Sequence, residues 1–149
     1  MNLNKSQLHK YCLELLDERI AMYQQEVKAA QDAANAEGKS SVGDKYETTR
    51  AQMQGERDRQ ARMLADAQKQ REALAQISIQ PMQNVQIGAL VKTSMATFYL
   101  TVSLGKVVFE GQDIQVISSV SPIGQELLNH TAGDSITFRG KKIKITEIY

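Results

Sequence analysis

Asp44 and Glu47 are the two residues of this 149-residue chain whose type and spacing could do chemistry. They follow a Gly38-Lys39-Ser40-Ser41-Val42-Gly43 segment and stand three positions apart, so a helix starting there puts both carboxylates on one face of its first turn. Two such groups can share a hard divalent cation, because Mg²⁺ is bound through one or two carboxylates plus waters and substrate oxygens. Two ligands alone hold it weakly, so a partner would have to complete the shell. The same spacing suits a purely structural role, with Asp44 as cap or first-turn acid and Glu47 as its capping-box companion at the positive end of the helix dipole. Lys39, Lys45 and Arg50 place positive charge around the pair, and Arg57, Arg59 and Arg62 continue as a solvated face.

Other patterns carry less. Gly38-Lys39-Ser40 is no phosphate loop, since position 33 is Ala and the preceding segment reads as helix rather than strand. Cys12 is the sole cysteine and reads as a small helix residue in a reducing compartment. His9 and His130 lie in different halves without a Ser or Asp constellation, and no Cys pair is present to hold zinc. A net charge of +1 argues against whole-surface attraction to nucleic acid or anionic lipid. The absence of a long apolar run or a basic-then-apolar leader points to a cytoplasmic protein with no membrane partner.

The elements that must position the acids follow from a change of grammar near Pro81. Residues 1–80 contain no proline and are rich in Ala, Gln, Glu, Lys, Arg, Leu and Met, all good helix formers. Leu13, Leu16, Ile20, Tyr23, Val27, Ala30 and Ala34 recur at steps of three and four, the seam of a coiled coil. A second, weaker seam runs Tyr46, Thr49, Met53, Glu56, Gln60, Met63, Ala67, Gln70, Leu74 and Ile77. The glycines and serines between them predict an antiparallel hairpin with an acidic tip near 38–47. Arms of about 30 residues at about 1.5 Å each reach on the order of 45 Å.

Residues 81–149 change to Val, Ile, Thr and Phe runs punctuated by glycine, which predicts strands near 86–93, 97–104, 106–110 and 113–118 and a closing hairpin within 134–148 around Arg139-Gly140-Lys141. Ser121-Pro122 supplies a capping hydroxyl followed by a residue suited to the first helical position, so a short helix is expected through Leu127 and Leu128. The fold class is α+β, an N-terminal antiparallel coiled-coil hairpin over 1–80 followed by a small β-rich domain over 81–149.

With those parts in place the sequence resembles the bacterial Gre transcript-cleavage factors, which enter the secondary channel of RNA polymerase. The resemblance is carried by Ser121-Pro122-Ile123 with Leu127-Leu128, by Gly133-Asp134, by the closing Ile143 to Tyr149, and by Gly43-Asp44 with Glu47. It implies that residues 81–149 form an FK506-binding-protein-like domain that docks on the polymerase. Lys39, Lys45, Arg50, Ser121 and Pro122 then become partner-binding positions. It also implies that Asp44 and Glu47 act as catalytic and metal ligands, helping hold a Mg²⁺ shared with the polymerase and acting indirectly on the nascent RNA 3′ end. The implied protein is a monomeric transcription elongation factor that stimulates cleavage of backtracked RNA by the polymerase, an accessory factor rather than itself an enzyme, with no stably bound cofactor. The family usually continues its tip with Asn-Ala-Glu-Tyr, whereas this chain has Thr48-Thr49-Arg50-Ala51 and places Tyr46 between the acids. That departure points to the alternative of a non-cleaving channel regulator that competes with cleavage factors. Two readings from other classes are a prolyl isomerase with a helical appendage, which would need an aromatic-lined pocket, and a dimeric coiled-coil adaptor.

Overall fold

The structure, a computed structural model, describes residues 3–37 and 43–149, with side chains described for 3–36 and 48–149. It is a two-helix region followed by a mixed β-sheet domain. Helix α1 spans Lys5–Glu37 and helix α2 spans Gly43–Gln76. Strands β1 (Leu90–Thr93), β2 (Thr97–Thr101), β3 (Gly105–Phe109), β4 (Gln112–Ser118), β5 (Ser135–Phe138) and β6 (Lys141–Ile148) follow, with helix α3 (Pro122–Leu127) between β4 and β5. The chain divides into two compact units. One comprises residues 14–71; the other comprises 1–13 together with 72–149.

In the unit of residues 14–71 the two helices run antiparallel. Arg71 Nε donates to Asp17 Oδ1 at 2.9 Å and Arg57 Nη1 donates to Gln31 Oε1 at 3.0 Å. Both bonds fall on one register, in which position 37 of α1 faces position 51 of α2. The first turns of α2 therefore lie beyond the level at which α1 stops. The α1 seam is as its spacing predicts: Leu16 is buried and Ile20, Tyr23, Val27, Ala30 and Ala34 are half-buried. The α2 seam differs from the sequence reading. Glu56 and Met63 are exposed, and Arg57 and Leu64 turn inward instead, giving Met53, Arg57, Gln60, Leu64, Ala67 and Arg71. Both choices are heptads sharing positions 53, 60 and 67. Leu64 packs a branched side chain into the seam, while Arg57 and Arg71 lay their stems along it and carry their guanidinium groups across to α1.

The other unit is built on a six-stranded sheet of order β3-β4-β2-β1-β6-β5. All neighbours are antiparallel except β2 and β4, which pair in parallel from Thr97↔Ile114 to Thr101↔Ser118. Two tight turns have the mirror-image geometry that matches strand twist. Glu110 and Gly111 join β3 to β4 with φ of 50° and 74°, and Arg139 and Gly140 join β5 to β6 with φ of 53° and 77°.

Alternation along the strands sends side chains to two faces. On one, Val91, Phe98, Leu100, Ile136, Ile143 and Ile145 form a core with Val85, Ala89 and Leu127 of α3. On the other face stands Tyr99, which meets the first turns of α1. These turns begin at Asn4, whose Oδ1 accepts from the Gln7 amide at 3.1 Å and caps the helix. His9 Nδ1 lies 2.6 Å from the Tyr99 hydroxyl, and the rings of Tyr11 and Phe109 stack with centroids 5.4 Å apart. Lys5 is almost fully buried and its Nζ donates to the carbonyls of Gln80 at 2.7 Å, Gly88 at 3.0 Å and Tyr149 at 3.1 Å.

Cys12 is fully buried in this unit, and loss of hydration pushes its thiol up to about 11. Burial also raises Tyr99, with the nearby Cys12 adding to the effect. A thiol raised in the folded state stabilises fully below its ordinary value of 9.0, and that contribution is lost as pH rises to about 11. The stability difference between the parent and Cys12→Ala is therefore expected to shrink by roughly 2 kcal/mol between those limits. Urea unfolding at both ends of the window reads it, and a pH-independent difference would contradict the buried, protonated thiol.

Candidate functional site

Asp44 and Glu47 fall within α2, which begins at Gly43, so their backbone lies in its first turns as the spacing predicts. Their side chains, and that of Lys45, are outside the described residues; Lys39 lies outside them altogether. Positions three apart at a helix start share a face next to the positive end of the dipole, which suits a pair of carboxylates. As a donor set the pair fits a divalent cation only in part, since its remaining ligands must come from elsewhere. Beyond the pair, Thr48 and Arg50 are exposed and Thr49 is half-buried. Among the described residues no group of three or more His, Cys, Asp or Glu side chains is placed to hold a metal.

Further down α2 the basic face is largely self-compensated. Arg59 makes a forked contact with both Glu56 carboxylate oxygens at 2.7 and 2.8 Å, and Gln60 Nε2 donates to the same carboxylate at 2.9 Å. These bonds hold Glu56 below the usual carboxylate range, the Arg59 bond contributing most. Arg57 is engaged with Gln31 and stands 3.6 Å from Asp58. The solvated-face reading therefore holds for the exposed Arg59, whereas Arg57 turns into the seam to reach Gln31. A small open cleft of about 150 Å³ between the helices is lined by Arg19, Tyr23, Met63, Asp66, Ala67 and Gln70.

In the sheet unit, Ser121 and Pro122 sit where the sequence places them. Ser121 is the cap of α3: its Oγ accepts from the Gly124 amide at 3.1 Å and donates to the Ser118 carbonyl at 2.7 Å, and Pro122 takes the first helical turn. The helix ends at Leu127, with Leu128 as C-terminal cap. Gln125 Nε2 donates to the Val120 carbonyl at 3.2 Å. Gly124 admits no side chain, because a Cβ there would overlap the Ser118 carbonyl and come within 2.8 Å of Ser121 Oγ. The result is a tightly held turn that presents Val120, 76% exposed, beside the exposed Pro122. Val120 was not singled out by sequence reasoning. An apolar residue between two serines gives no periodic signal, and only its exposure marks it.

His130 has a carboxylate partner that the sequence reading did not supply. Its Nδ1 is 3.1 Å from Asp134 Oδ2, which also accepts from the Thr131 amide at 2.9 Å. The Thr131 amide first and His130 second hold Asp134 below the usual carboxylate range. This contact closes the turn before β5. The aromatic residues of the unit are spent on packing: Phe98 and Tyr99 are buried, and Phe109 stacks on Tyr11. No helix among the described residues is long and apolar enough to cross a membrane.

No family model matches the chain, and no curated protein matches it. Among solved structures it is similar to one described as the structure of the transcription factor Gfh1, at 16% identity over 92% of both chains, with a TM-score of 0.37. It is also similar to the crystal structure of GreA factor homolog 1 (Gfh1) of Thermus thermophilus, at 18% identity over 92% of this chain and 94% of that one, with a TM-score of 0.34.

Proposed function

We propose that this chain is an accessory regulator that binds RNA polymerase through its secondary channel and occupies it without promoting cleavage. The observation that carries the proposal is an antiparallel two-helix arm whose second helix opens with Asp44 and Glu47 and continues with Thr48, Thr49 and Arg50. Within residues 1–80 the paired helices between 14 and 71 supply the arm, and residues 81–149, joined by 1–13 and 72–80, an FK506-binding-protein-like docking domain. Val120 and Pro122 are its apolar contact, Ser121 holds their turn in shape, and Lys39, Lys45 and Arg50 add positive charge at the tip. The resemblance in Ser121-Pro122-Ile123, Gly133-Asp134 and the last seven residues supports the same partner. The tip supports occupancy over catalysis, because Arg50 puts a cation where the family pattern carries an acid.

A second reading is favoured by the spacing of Asp44 and Glu47 on one helical face. Here the pair helps hold a Mg²⁺ shared with the polymerase, whose role would be to activate water against the backtracked RNA. The residues of this chain would position that ion and neutralise nothing else. Transcript shortening in stalled elongation complexes separates the two. The expected result is binding to core polymerase, no shortening by the protein alone, and suppression of shortening by an added cleavage factor. Shortening that falls at least tenfold in Asp44→Ala/Glu47→Ala would establish the second reading instead. Absence of binding to core polymerase removes both. Val120→Asp is expected to weaken polymerase binding about tenfold or more, as loss of an apolar anchor does, with an unchanged melting temperature.

A further inference from the structure

The β5–β6 hairpin carries a concentration of positive charge that no carboxylate among the described residues answers. Ile136 and Ile143 face the core, so the strand alternation turns Ser135, Thr137, Lys142 and Lys144 to the opposite side, where all four are exposed. Ser135 stands opposite Lys144 and Thr137 opposite Lys142. Arg139 in the turn and Lys141 just after it, opposite Phe138, are also exposed. Among the described residues none of these four cations is paired with a carboxylate. The neighbouring acids are already engaged. Glu147 faces Lys92 at 3.8 Å and accepts from the Tyr149 hydroxyl, and Asp134 is held by His130 and Thr131. The whole chain has a net charge of only +1, so this is a local field rather than a general one.

Lysines on a sheet are often there to keep an edge strand from pairing with another chain. Residues 141–144 of β6 pair with β5 alone, β1 joining β6 only from Ile145 onward, so the two lysines can serve that role; edge protection does not call for the row of hydroxyls that faces them or for two further cations at the turn. We infer that the exposed face of this ribbon is a docking surface for the phosphodiester backbone of duplex DNA. The face offers two lysines whose backbone positions are about 7 Å apart along β6 and two hydroxyls facing them, with Lys141 and Arg139 adding positive charge beside it on the Phe138 side of the turn. A protein partner would be recognised by an apolar or aromatic centre with a polar rim, and this face has no apolar side chain. A single strand would be gripped by stacking on exposed aromatic rings. The nearest ring, Phe138, is half-buried against the core and lies under the Arg139 guanidinium, 5.0 Å from ring centroid to carbon. A rigid two-stranded ribbon is admitted by the major groove of B-form DNA, whereas that of A-form RNA is too narrow. Recognition through phosphates alone carries no sequence preference.

The inference stands apart from the polymerase reading, and its test contains no polymerase. Fluorescence anisotropy of a labelled mixed-sequence duplex of about 20 base pairs is followed with the full chain between 50 and 200 mM salt. Expected is a dissociation constant in the non-specific range of roughly 10⁻⁴ to 10⁻⁶ M, with a log–log salt slope of about −3 for three to four phosphate contacts. Lys142→Glu/Lys144→Glu is expected to weaken binding at least tenfold and flatten the slope to about −1, with the melting temperature unchanged. Lys106→Glu, on the opposite edge strand and beside Asp113, is expected to change it less than threefold. Equal loss in the two variants, or no loss in the first, overturns the site. Tighter binding of single-stranded RNA of the same length overturns the duplex as occupant. Displacement by poly-glutamate at equal charge concentration overturns it in favour of an acidic protein.

Discussion

Gly88→Ala is expected to destabilise the sheet unit by about 3 kcal/mol. Gly88 has φ of +100°, a left-handed conformation that side-chain-bearing residues adopt only under strain. A Cβ there would also lie 2.6 Å from the Ser78 carbonyl oxygen, 2.8 Å from the end of Met82 and 3.2 Å from Ile77. Met82 can swing aside, but the Ser78 oxygen is backbone and cannot move without its neighbours. Gly88 itself is held from two sides. Its amide donates to the Leu100 carbonyl at 2.7 Å and its carbonyl accepts from Lys5. Relief of the overlap therefore breaks one of these bonds. Urea unfolding with an unchanged slope and a lowered midpoint is the expected record. A midpoint within the equivalent of 1 kcal/mol of the parent would show that the segment before β1 yields freely.

Lys5→Met follows from the same junction and is expected to cost about 2 kcal/mol. Two effects oppose each other. Burial disfavours the ammonium and lowers its affinity for a proton, so removing the charge recovers some desolvation energy. Against this, three carbonyls lose their shared donor. The Gly88 bond is buried and that oxygen has no easy access to water, whereas those of Gln80 and Tyr149 are only part-buried. The loss at Gly88 decides the sign. Lys5→Glu removes the donor and sets an anion against three oxygens, so it should lose more than Lys5→Met. Equal stability of Lys5→Met and the parent would mean that water replaces the ammonium without cost.

These two residues also mark where the sequence stops being legible. The α1 seam, the helix cap at Ser121 and the hairpin at Arg139-Gly140 are set by neighbours within a few positions, and each is visible in spacing or turn chemistry. Lys5, His9 and Cys12 are different. Their roles depend on Gln80, Gly88, Tyr99 and Tyr149, most of the chain away, and no local period reports that pairing. The parallel pairing of β2 with β4 is hidden for the same reason. On α2 two heptads compete, Glu56 with Met63 against Arg57 with Leu64, and each offers one charged and one apolar residue, so hydropathy alone does not choose between them. The structure favours the arginine because its cation escapes across the seam to Gln31. At the candidate site, the carboxylate spacing at 44 and 47 was readable, whereas the exposed Val120 emerged only from the geometry of its turn.

Two side-chain contacts, Arg71 to Asp17 and Arg57 to Gln31, join α1 to α2. Asp17 and Gln31 are separated by the same fourteen positions as Arg57 and Arg71, which is two heptads on each helix. Sliding one helix by a single heptad would set Arg71 opposite Lys10 or Gln24, and in either direction the ion pair with Asp17 is lost. The arms are thus locked against each other at two points, like a ruler fixed by two pins. A natural or engineered change of arm length would have to insert or delete matching numbers of residues in both helices, and an insertion in one alone would be forced out as a bulge.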